Sequence, residues 1–175
     1  MAAIACLMLG AAFCGEKSEK KILLASSFAL YLLLFLALTV FARKTELLFT
    51  RPDAKEWLLS HIYWKPFHTI SHYGKLLFSK YFLAAFMNLF GNLAATAPMG
   101  FFLPLFFKKQ KSRAWFFVTM LLMITFIEVT QLFLSCGVFD IDDYILNLSG
   151  SFLVFEAMNN NKVKGAVYRA LRLEP

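Results

Sequence analysis

The chain has 175 residues, room for one domain, yet 59% of them are hydrophobic, 21 are phenylalanine and the mean hydropathy is +0.62. No soluble domain of this size needs so much apolar surface, so the expected solvent is the bilayer. The net charge of +7 does not signal nucleic acid, because the lysines and arginines lie between the apolar runs and no nucleic-acid-binding motif accompanies them.

Residues 1–15 are apolar but lack a basic leading region and are too short to span, which argues against a signal peptide and for an interfacial or short buried segment. Residues 1–21 form an N-terminal apolar and basic segment. Residues 22–42 are an uncharged run of 21, the first predicted span. Residues 82–107 are the second, with Pro98 and Pro104 predicting a kink or a broken end. Residues 114–134 are the third. The fourth, 141–158, is weaker, since its uncharged core runs only over 144–155. The fold class is therefore an all-α membrane protein of about four transmembrane helices, occupying residues 22–158, with a basic tail over 159–175.

Lys17, Lys20 and Lys21 precede span one, Lys108, Lys109, Lys111 and Arg113 fill the second loop, and Lys162, Lys164, Arg169 and Arg172 follow span four. Four spans put all three clusters on one side, so both termini are expected in the cytoplasm. The third loop carries Asp140, Asp142 and Asp143 without a base, as an outside loop should. The first loop is long and holds seven basic residues. Trp57, Tyr63, Trp64, Phe67 and Tyr73 mark part of it as an interfacial segment with a headgroup-level aromatic belt.

Glu128 is the only charged residue in the third run, where a carboxylate is costly unless protonated, paired or facing water. Gln131 follows three residues later on the same helical face. Asn88 and Asn92 share a face of span two, and Asp143 and Asn147 share one of span four. At 1.5 Å rise per residue these positions fall at a common depth near the outer end, predicting one polar patch built by spans two, three and four. Gly91, Ala94, Ala95, Ser149, Gly150 and Ser151 are small enough for close helix approach.

Two strings carry a family resemblance. NLFGNLAATAPMGFFLPLFF is similar to the N-x-x-G-N…P-x-G…P element of the VanZ-like family, and IEVTQLFLSCGVFDIDDYILNLSG to its E-x-x-Q…D-x-D-D…N-x-x-G element. WKPFHTI also resembles the family's segment before the second span, so the resemblance covers about 64–155. It implies a protein of the bacterial cytoplasmic membrane acting at the cell envelope, in a family named for a protein linked to resistance to the glycopeptide teicoplanin. Many members carry an arginine shortly before the aspartates, where this chain has Ser135, Cys136 and Gly137.

Each candidate has a functional and a structural reading. Glu128 with Gln131 is either a proton acceptor or cation ligand in a wet cavity, or a protonated acid bonded across helices. Asp140 reads first as a helix cap, Asp143 as a site residue. Asn88 and Asn92 suit ligand contact and interhelical bonding equally. His68 and His72 are spaced as a metal pair would be on a helix, but Pro66 and Gly74 bracket a short stretch, and no metal is assigned. Cys6, Cys14 and Cys136 form neither a disulfide framework nor a CxxC pair and read as packing residues, although Cys136 would be a thiol on the outer side.

The leading expectation is a binding site for an envelope lipid or lipid-linked wall intermediate, with Asn88, Asn92, Glu128, Gln131, Asp140, Asp143 and Asn147 as its residues. No cofactor is implied beyond a possible divalent cation on carboxylate and amide oxygens. The alternatives are a membrane enzyme using Glu128 as base with Asp143, and a non-catalytic scaffold. Expected partners are membrane lipids and no nucleic acid.

Overall fold

The computed structural model describes residues 17–41 and 46–171. The expectation for residues 1–15, and Cys6 and Cys14 with it, lies outside the described residues. Seven helices run in order through them: α1 (Lys17–Leu36), α2 (Ala54–Ser60), α3 (His68–Leu76), α4 (Phe82–Phe106), α5 (Arg113–Phe133), α6 (Ile141–Asn159) and α7 (Asn161–Ala170). Two short strands, β1 (Ile62–Tyr63) and β2 (Phe139–Asp140), complete the chain. The protein is all-α, and Glu19–Val40, Phe82–Phe106 and Arg113–Phe133 are long and apolar enough to cross a membrane.

The chain divides into two compact units, Met1–Leu38 with Glu156–Pro175, and Thr39–Phe155. In the first, Tyr31 stacks between Phe28 and Phe35 along α1, with ring centroids 6.4 and 5.9 Å away. The expected basic tail is helical over α7, whose first turn is capped by Asn160 Oδ1, accepting from Lys162 N at 2.9 Å.

The second unit holds a three-helix core of α4, α5 and α6. Helix α4 runs unbroken through Pro98 and Pro104, so the expected break does not occur. Buried helices tolerate proline where neighbours take up the freed backbone groups. Helices α4 and α6 are parallel and keep a constant offset: Asn92 meets Asp143, Thr96 Oγ1 donates to Asn147 O at 2.6 Å, and Gly100 faces Ser151, each pair 51 positions apart. A Cβ at Gly150 would collide with the Leu93 carbonyl, and one at Gly100 with Ser151 O and Phe155 N. Gly91, read from sequence as a close-approach residue, has nothing within 4 Å of where a Cβ would stand. Helix α5 is antiparallel to α6, with Phe116 stacked on Phe155 at 4.4 Å and Tyr144 Oη donating to Thr125 Oγ1 at 3.2 Å.

The offset explains why α6 read as a weak span. Position 141 stands level with position 90, eight residues past Phe82, so α6 starts about 12 Å below the start of α4. The space above its first turn is occupied by the first loop. β1 pairs in parallel with β2, Ile62 opposite Phe139 and Tyr63 opposite Asp140. Glu46 N donates to Leu134 O at 2.9 Å, and Phe139 N to His61 O at 2.9 Å. The first and third loops therefore meet at one end of the core, and the turn Lys108–Lys111 lies at the other.

A candidate ligand cavity beneath the first loop

The cap of α3 is supplied from 75 positions away. Phe67 precedes the helix with φ of 61°, a left-handed conformation rare for a bulky residue, and gives no side-chain cap. The Asp142 carboxylate takes the role instead: Oδ1 accepts from Phe67 N at 2.6 Å, and Oδ2 from Thr69 N at 2.7 Å and Ile70 N at 3.0 Å. Asp142 is 0% exposed, so these charge-assisted bonds are shielded from water. Asp140 does two jobs beside it. Its Oδ1 accepts from Asp142 N at 2.9 Å, the cap anticipated for α6, and its Oδ2 accepts from Thr69 Oγ1 at 2.5 Å.

Pinned this way, the first loop roofs a cavity of 770 Å³. Asn88 and Asn92 of α4, Gln131 of α5, Asp140 of β2 and Asp143 in the first turn of α6 line it. Five of the seven expected site residues thus come together. Ser135, Cys136, Gly137 and Val138 form another side, and the roof carries Trp57, His61, Tyr63, His68, Thr69, His72 and Tyr73. At the floor, Asn92 Nδ2 donates to Asp143 Oδ1. Gln131 Nε2 donates to Thr39 O at 2.8 Å, satisfying a carbonyl in the π-helical turn that follows α1. Asn88 Oδ1 and Ser135 Oγ are buried on the wall without a hydrogen-bond partner.

Glu128 and Asn147 are not on this wall. Glu128, one turn below Gln131, is 4% exposed and lies within electrostatic reach of the Tyr144 phenol, in a buried polar cluster with Thr125 that ties α5 to α6. Asn147 Nδ2 donates to Asp143 O at 2.8 Å within its own helix.

The expected aromatic belt splits. Trp64 and Phe67 are 68% and 61% exposed, whereas Trp57, Tyr63 and Tyr73 line the cavity. Helix α3 forms despite Pro66 and Gly74, and His68 stacks on Tyr63 at 5.9 Å while His72 meets the edge of Tyr73 at 5.3 Å. Among the described residues no group of three His, Cys, Asp or Glu side chains is placed to hold a metal. Outside the helical core, Arg51 bridges Glu46 at 2.8 Å and Asp53 at 3.1 Å and covers the Trp57 ring. Its hydrogen bond holds the Asp53 carboxyl below the usual range.

The VanZ/LLP1 family model matches residues 28–158, three quarters of the chain. The protein belongs to the VanZ/LLP1 family. No curated protein and no solved structure matches it. The VanZ/LLP1 match extends beyond the 64–155 legible as a resemblance and takes in every residue of the cavity wall. In this VanZ/LLP1 protein a Cβ at Gly137 would come within 2.6 Å of Gln131 Oε1, so Gln131 fills the space beside Ser135, Cys136 and Gly137.

Proposed function

We propose that this protein is a multi-pass protein of the bacterial cytoplasmic membrane that holds the headgroup of an envelope lipid, or of a lipid-linked wall intermediate, and thereby lowers susceptibility to glycopeptides such as teicoplanin. The observation that carries this reading is the 770 Å³ cavity, recessed into the helical core and walled by amides, carboxylates and aromatic rings. The basic turn Lys108–Lys111 belongs in the cytoplasm by the positive-inside rule, which turns the cavity outward and puts both termini inside. α6 then serves as the fourth membrane-embedded helix.

Asp143 supplies the charge at the floor, while Asn88, Asn92 and Gln131 orient the ligand. Glu128 supports the floor from below rather than touching the headgroup. A divalent cation, if one bridges Asp143 to a diphosphate, draws its remaining oxygens from amides and from the ligand.

The test is glycopeptide susceptibility of a host expressing the protein. Asp143→Asn and Asn88→Ala, each present in the membrane at the level of the unaltered protein, should lose the protection against teicoplanin. Full protection in both variants removes the cavity from the function.

A further inference from the structure

Two depressions of opposite charge share one wall. The large cavity holds Asp140 and Asp143, and among the described residues no lysine or arginine lines it. The second, 310 Å³, is lined by Lys65, Ser71 and Lys75 and, among the described residues, by no carboxylate. His68 and His72 border both. They stand four residues apart on α3, with Lys75 three further on, so all three occupy one face of a short helix. The lining passes from acidic to basic across these two histidines.

We propose that the bound headgroup is a zwitterion with an ammonium and a phosphate, as in phosphoethanolamine; the inference rests on the lipid-binding reading above. The ammonium sits in the large cavity against Asp143, with the Asn88 amide, whose buried Oδ1 has no hydrogen-bond partner in the protein, on the same wall. The phosphate lies toward His68 and His72, where Lys65 and Lys75 neutralise it. A purely anionic headgroup would gain the lysines but set a second polar, uncharged group against the carboxylates. The zwitterion satisfies both ends.

Native mass spectrometry of the intact detergent-solubilised protein tests this with dioleoyl phosphatidylethanolamine, dioleoyl phosphatidylglycerol and soluble phosphoethanolamine. The ethanolamine lipid should bind at least about fivefold tighter than the glycerol lipid, the worth of one charge-assisted contact at a partly wet site. Asn88→Ala and Asp143→Asn should each bring that ratio to about one, whereas Lys65→Ala with Lys75→Ala should weaken both lipids in parallel. The Asn88 variant guards against loss of fold, because its amide oxygen gives up no bond within the protein. Equal or tighter binding of the glycerol lipid overturns the zwitterion and leaves lipid binding standing. Soluble phosphoethanolamine binding as tightly as the lipid supports the zwitterion but overturns the lipid reading. Binding of none of the three overturns both.

Discussion

At the scale of single residues, Asp142 holds more of the site together than any residue that touches the cavity. It satisfies three backbone N–H groups at the start of α3, where the chain provides no cap of its own. Asp142→Ala leaves those donors without a partner and should destabilise the protein by about 3 kcal/mol, read as a lower Tm in detergent. The same variant should raise amide exchange over 62–76 while α4 and α5 stay protected, and uniform exchange would refute the local role. Little of this was legible in the sequence. The pattern D-x-D-D drew attention to the triad, but the partners of Asp142 lie 72 to 75 positions away, beyond the reach of any helical spacing rule. Glu128 shows the converse. Its cost in an apolar run was plain from sequence, and what spacing does not reveal is which side of α5 faces the cavity. Gln131, Asn92 and Asp143 were found because their depth and face both pointed to the same end. Glu128→Gln should leave headgroup binding within about twofold of the unaltered protein, since the side chain is off the wall. A tenfold loss would return it to the site.

Among the helices, the parallel pair α4 and α6 is set by two glycines. Backbone lies where a side chain at Gly150 or Gly100 would stand, so the helices approach closely enough for Thr96 to bond the Asn147 carbonyl. Gly150→Ala must push the Leu93 carbonyl aside and should cost about 1–3 kcal/mol, with the Asn92–Asp143 contact at the cavity floor loosened along with the pair. Gly91→Ala, with open space around it, should change stability by less than about 0.5 kcal/mol. Equal Tm losses in the two variants would mean that the pair is not held by close approach at Gly150. Span limits were nearly readable because apolar runs end where charges begin: 82–107 became Phe82–Phe106, and 114–134 became Arg113–Phe133. The standing of α6 was not readable. Its first turns are polar because they meet the cavity and the loop above it rather than lipid, and the offset that creates this situation appears only when helices are packed together.

For the molecule as a membrane protein, the strand pair β1–β2 turns a charge-counting argument into a geometric constraint. The first and third loops are bonded to each other, so they lie on one side of any membrane that α4 and α5 cross. The seven basic residues of the first loop therefore cannot be assigned apart from the acidic third loop. The basic turn Lys108–Lys111 takes the opposite side, and an excess of positive charge in a short loop governs orientation more reliably than charge in a long one. Orientation thus stands or falls as a unit, which a labelling experiment can decide. With Cys6, Cys14 and Cys136 replaced by serine, Ser71→Cys on the roof should react with an impermeant maleimide in intact cells. Lys109→Cys should react only after the membrane is opened. Reaction of Lys109→Cys alone in intact cells would turn the cavity toward the cytoplasm and remove extracytoplasmic wall intermediates from its reach, whereas reaction at both positions would mean that α4 does not cross the bilayer.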